Sequence, residues 1–182
     1  MSRYFCHDHP DVLTLETRQA VAYAVEHAGP VYLRLTRQNL EPVCPPDYRF
    51  RLGRWLALRP GQDVTLIATG GTVFNALGAA QRLEQYGISA EVINAASIKP
   101  LDEEMLVRSA TATGRVVTIE DHSVAGGLGG AVAELLSEVK PTPVKRIGTT
   151  TFGESGDPKG LYAKFGFDAD GIAASVRKFV GR

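Results

Sequence analysis

VVTIEDHSVAGGLGGAVAELLSEV, residues 116–139, decides the fold. Val116, Val117 and Ile119 make a short apolar run, the pattern of a parallel strand covered on both faces. Glu120, Asp121 and His122 then place three ionisable groups at the strand's carboxyl end, where open α/β sheets bind ligands. Gly126, Gly127, Gly129 and Gly130 let the backbone turn and bring the following helix close to the sheet. Leu128, Val132, Leu135, Leu136 and Val139 fall on one face of that helix.

Upstream, the same unit repeats. Val64 to Ala68 reads as a buried strand, Thr69-Gly70-Gly71-Thr72 as a turn, and a helix begins near Val73. Val73, Leu77, Ala80 and Leu83 carry its apolar face, and Gly87 ends it. The turn could cradle a phosphate on backbone N–H groups. It lacks both the P-loop lysine and the dinucleotide-binding spacing, so a tight packing turn is the favoured reading, with a small-ligand site as the rival. Ala90 to Asn94 is the next strand. Asp102 caps a helix to about Ala112, and Glu103 and Glu104 complement its dipole. Before all this, Phe50 to Leu58 reads as an edge strand with Leu52, Trp55 or Leu56, and Leu58 turned inward.

Downstream, Pro141 and Pro143 break the chain and Val144 to Ile147 form a strand. Thr149 to Gly160 reads as a long loop. A helix from about Asp168 to Val180 closes the chain, burying Ile172, Val176, Phe179 and Val180. Strands alternating with helices specify a three-layer α/β domain, a mainly parallel sheet with helices on both faces. That domain is placed at 50–182.

The first fifty residues read differently. Residues 1–10 carry no regular structure. His7 and His9 bracket Asp8, but without ligand spacing a solvated terminus is preferred to a metal site. A helix spans Leu15 to Ala28, capped by Thr14, with a modest stripe of Val21, Val25 and Ala28. Gly29 and Pro30 stop it, and Val31 to Leu35 form a short strand. One helix and one strand bury too little to stand alone. Residues 1–38 therefore read as the tail of a domain, and 39–49, with Pro42, Pro45 and Pro46, as a linker. Arg34 and Arg37 flank the strand's end. A guanidinium suits phosphate or carboxylate, although on spacing alone both read as surface arginines.

The bulk numbers agree with a globular protein. Hydrophobic residues are 44% and charged residues 22% of the 182. Lys plus Arg and Asp plus Glu are 20 each, a balance that favours neither nucleic acid nor a membrane surface. The two cysteines, Cys6 and Cys44, are too far apart for a metal pair and read as free thiols of a cytoplasmic protein. No apolar run approaches the roughly 20 residues of a membrane span, and the start has no apolar signal-peptide core.

Five segments resemble those of transketolase-type enzymes, in that family's order: GPVYLRLTRQN (29–39), DVTLIATG (63–70), SIKPLD (97–102), EDH with GGLG (120–122 and 126–129), and FGESG (152–156). No one of them is specific, but five in order are. The resemblance runs from about residue 11 to 180. It implies that 50–182 is the family's C-terminal domain and 1–38 the end of the pyrimidine-binding domain. It implies thiamine diphosphate with a divalent metal as cofactor, and a dimeric enzyme transferring ketol groups between sugar phosphates. It matches Arg37 to an arginine that contacts the substrate phosphate. His122 is a ligand-facing candidate, against a structural histidine at the sheet's end; Glu120 and Asp121 read as structural, bonding loop amides. The family's Gly-Asp-Gly…Asn metal motif is missing: Gly156-Asp157 is followed by Pro158. The cofactor-activating glutamate has no counterpart. No cofactor-binding, metal-binding or catalytic residue is therefore assigned to this chain. Two expectations follow. One is the C-terminal part of a split enzyme, active only with an N-terminal subunit. The other is a non-catalytic remnant or a dimerisation or regulatory module.

Overall fold

A computed structural model describes residues 15–36 and 40–181; Thr14, Arg37 and the His7–His9 cluster lie outside the described residues. Five strands form one sheet in the order β1-β3-β2-β4-β5. They are β1 (Leu56–Arg59), β2 (Val64–Ala68), β3 (Ala90–Asn94), β4 (Val116–Ser123) and β5 (Val144–Thr149). Pairings β2–β3, β2–β4 and β4–β5 are parallel, and only the edge strand β1 runs antiparallel, with an irregular register against β3.

Strand β2 shows why the sheet has two cores. Every residue in it is buried. Alternate side chains point to opposite faces, so Val64, Leu66 and Ala68 join one apolar cluster and Ile67 the other. Helices α2 (Thr72–Glu84) and α6 (Ala169–Val180), after α1 (Leu15–Glu26) in chain order, cover the first face. Helices α3 (Glu103–Thr113) and α4 (Leu128–Val139) cover the second. The three-layer, mainly parallel architecture expected from the alternating pattern is the one found.

The glycines after β4 act at particular positions. A Cβ on Gly127 would lie 2.0 Å from Glu120 Oε2, and one on Gly129 2.7 Å from Thr118 Oγ1. Gly126 has φ +77°, a left-handed turn. Gly130 faces open space, so the close approach falls to Gly127 and Gly129. On α4, Leu128, Val132 and Leu136 are buried, but Val139 is exposed because the helix ends there.

Other boundaries shift. Strand β4 runs on through Glu120 to Ser123, with an irregularity after Ile119. The first edge strand is confined to Leu56–Arg59, and Leu52 is exposed. Residues 158–160, expected in a loop, begin a helix, α5 (Pro158–Phe165). Asp157 caps it by accepting from Gly160 N at 2.9 Å, and Pro158 sits in its first turn, where no N–H is needed. The SIKPLD segment is a joint. Asp102 accepts from Met105 N (3.1 Å) to cap α3 and from Trp55 N (2.9 Å), while Trp55 Nε1 donates to Ser97 O (2.8 Å).

The N-terminal elements depart most from expectation. Helix α1 exists, but its apolar stripe is not a buried face: Val21 is 40% and Val25 82% exposed, and only Ala20 is buried. Residues 31–36 form no strand, and Val31, Tyr32, Leu33 and Leu35 are all exposed. The helix docks through polar groups instead. Gln19 donates to Tyr48 O (2.9 Å) and accepts from Phe50 N (2.6 Å).

Candidate functional site

The order of strands reverses between β2 and β4, because β3 lies on one side of β2 and β4 on the other. In such sheets the crevice beyond the carboxyl ends at the reversal is the usual ligand position. Here those ends are the Thr69–Thr72 turn after β2 and the Glu120–Ser123 end of β4. Leu15, Glu16, Thr17 and Ala20 of α1 and residues 33–36 and 40–44 border the crevice, leaving a cleft of about 210 Å³.

The turn after β2 is stitched in place. Thr69 N donates to Ile119 O (3.2 Å), and Thr69 Oγ1 to Ala95 O (2.9 Å). Thr72 Oγ1 is shared between Thr69 O and Ile119 O. Gly70 takes φ +57°. These bonds match a packing turn, and Thr69, Gly70 and Gly71 also line the cleft.

Glu120 is buried, and its two carboxylate oxygens accept from Leu128 N (2.9 Å) and Gly129 N (2.8 Å). It closes the start of α4, whose N-cap is a glycine without a side-chain acceptor. Asp121 faces the cleft. It accepts from Arg34 Nη1 (2.7 Å) on one oxygen and from the Tyr162 hydroxyl (3.0 Å) on the other. The Asp121 carboxylate, through that hydrogen bond, holds the Arg34 guanidinium above its ordinary pKa. Arg34 and Asp121, 87 residues apart, thus tie the N-terminal segment to the sheet. His122 is exposed, with Nδ1 3.2 Å from Ser123 O, and does not line the cleft. Arg37 lies outside the described residues.

The floor of the cleft holds a group that sequence reading missed. Glu16 of α1 is largely buried. Asn94 Nδ2 and Cys44 Sγ both donate to its Oε2, the latter at 3.7 Å. Tyr48 bonds to it as well. Burial pushes the Glu16 carboxyl up from its ordinary pKa, against the opposing pull of those three donors. Burial first, then the Glu16 charge, pushes the Cys44 thiol up to about 12 and raises the Tyr48 hydroxyl. Bonds to residues 28 and 78 positions away reveal Glu16, and no local pattern encodes them.

The sequence lacks the family's full Gly-Asp-Gly…Asn motif. Its one Gly-Asp pair, Gly156-Asp157, is committed to capping α5. Among the described residues no three His, Cys, Asp or Glu side chains converge as metal ligands would.

An α/β domain of this topology, with a cleft at the strand reversal, defines a class but not a chemistry. The model of the transketolase C-terminal domain matches residues 53–172. The subunit SqwH of the 6-deoxy-6-sulfo-D-fructose transketolase from Clostridium sp. (strain MSTE9) is 44% identical over 92% of this chain and 52% of its own length. A putative transketolase C-terminal section from Methanocaldococcus jannaschii is 40% identical over 88% and 51%. Among solved structures, a split-gene transketolase described as an inactive β4 tetramer superposes with a TM-score of 0.87 at 47% identity, covering 91% of this chain and 55% of that one. The chain belongs to the transketolase family, as the five segments implied. It spans about half the length of these relatives.

Proposed function

We propose that this chain is the C-terminal part of a split transketolase-like enzyme, transferring ketol groups between sugar phosphates only when an N-terminal subunit supplies the thiamine diphosphate site. One observation carries the reading: 92% of the chain aligns with a relative named as a transketolase subunit, yet covers only 52% of it. The described residues are consistent with a supporting role, since Asp102, Glu120, Asp157 and Asp168 close helix starts and Asp121 ties to Arg34. Residues 50–182 act as the C-terminal domain, 39–49 as a linker and 1–38 as the tail of a pyrimidine-binding domain. The exposed Val25, Tyr32 and Leu35 are the surface that would meet it, because apolar patches of this kind mark contacts. Arg37 binds the substrate phosphate as a bidentate donor, and His122 remains a ligand-facing candidate.

Mixing the purified chain with a transketolase N-terminal subunit and thiamine diphosphate tests this. Ketol transfer is expected in the mixture and not with either component alone. Turnover by the isolated chain would refute the division of labour. Failure to associate with any such subunit would favour the second reading, a dimerisation or regulatory module. In an active mixture, Arg37→Ala should raise KM for phosphorylated acceptors by tenfold or more and leave unphosphorylated ones unchanged.

A further inference from the structure

We infer that the cleft over the strand reversal binds a small primary amine, its ammonium head seated between the Glu16 carboxylate and Asn94 Oδ1 and its apolar stem lying along Leu33, Val43 and Val73. Two observations on the cleft floor point this way. Asn94 is 1% exposed, and its Oδ1 has no hydrogen-bond partner. A buried carbonyl oxygen left unpaired costs free energy and marks a place where a donor belongs. Turning the amide over does not help, because Oδ1 would then face the Glu16 carboxylate, acceptor against acceptor.

Glu16 is the second observation. Its partners, Asn94, Cys44 and Tyr48, are all neutral, and no cation among the described residues contributes to its titration. Buried carboxylates are normally paired with positive charge. Among the described residues, the cleft thus offers a carboxylate without a counter-ion beside a carbonyl without a donor. An ammonium group satisfies both, having three N–H donors and one positive charge.

The rest of the lining favours a cation over an anion. Among the described residues, Glu16, Glu41 and Asp121 line the cleft against Arg34 alone, and Arg34 is already spent on Asp121. The start of α2 also borders the cleft, but Thr72 N and Val73 N are occupied by Thr69 O and Gly70 O. Volume limits the ligand. About 210 Å³ falls below the roughly 300–1,000 Å³ of drug-sized sites, so a stem of a few carbons fits. Nothing here depends on assembly with another subunit.

The test titrates the full chain alone with n-butylammonium, 1-butanol and butyrate, following calorimetry and the NMR signals of Asn94. Saturable binding of the amine is expected, at least tenfold tighter than either size-matched probe and moving the Asn94 side-chain amide. Glu16→Gln should weaken amine binding at least tenfold. Equal binding of alcohol and amine, preference for butyrate, or no binding by any probe would overturn the inference, as would unchanged binding in the variant. If Glu16→Gln does not fold, the wild-type pH profile decides. Affinity should rise with pH as Glu16 ionises, the bound ammonium offsetting the loosening of α1 that ionisation otherwise brings, and a flat or falling profile counts against the site. The groups facing Glu16 leave that window clear: Cys44 is pushed to about 12 and Tyr48 is raised, while Arg34 and Asp121 pair with each other across the cleft.

Discussion

The five-stranded sheet and the N-terminal segment 15–36 are held by opposite means. In the sheet, Val64 to Ala68 are fully covered and neighbouring side chains feed two apolar cores. The N-terminal segment leaves Val25, Tyr32 and Leu35 in solvent and fastens through Glu16, Gln19 and Arg34. Area removed from water is worth roughly 25 cal/mol per Å², whereas a typical net hydrogen bond contributes about 1 kcal/mol. Most of the stability therefore lies in the sheet, and the segment can open without unfolding it.

The sharpest break in this contrast is a pair of truncations. Ile67→Ala should cost about 2–5 kcal/mol in urea unfolding, while Val25→Ala should stay within about 0.5 kcal/mol. Similar losses would erase the distinction. Next in size is Glu120→Ala, which leaves Leu128 N and Gly129 N without their acceptor. A destabilisation of about 2–3 kcal/mol is expected, with faster hydrogen exchange in the first turn of α4. Exchange as fast in α4 as in α1 already in the wild type would contradict the ranking.

The pH response belongs to the segment. Burial holds the docked Glu16 carboxyl above its ordinary value of 4.5, so the docked form binds the proton more tightly. The resulting contribution to docking is fully present below pH 4.5 and is lost as pH climbs through the raised value. With the intrinsic pH dependence of exchange divided out, amide protection in α1 should fall over that window while that in β2 holds, and Glu16→Gln should flatten the response. The smallest effect is expected from Arg34→Ala. The pair with Asp121 is half exposed on the arginine side, and such pairs are worth under about 1 kcal/mol. Exchange of amides near residue 34 should rise, with little change in global stability.

The same contrast explains what could be read from the chain. Strands β2 and β4 and helices α2, α3 and α4 announce themselves through local periods and caps, because their burial follows from neighbours within one βα unit. Helix α5 escaped because it is short, contains Gly160 and buries no residue fully. The stripe of α1 misled because the periodicity of Val21 and Val25 says which residues share a face, not what covers it. The cleft floor was illegible for a stronger reason: Glu16, Cys44 and Asn94 meet only after the sheet has formed, and none sits in a motif. Arg34 was singled out, but its partner Asp121 lay 87 residues away.

The margins of the sheet bear on behaviour at high concentration. An edge strand is a template for another chain unless something blunts it. Strand β1 is four residues long and irregular in pairing, and β5 turns Lys145 and Arg146 to solvent. Both margins thus discourage fibrous stacking, and self-association should begin instead at the oily stretch around Tyr32, where a solubilising substitution would do the most good.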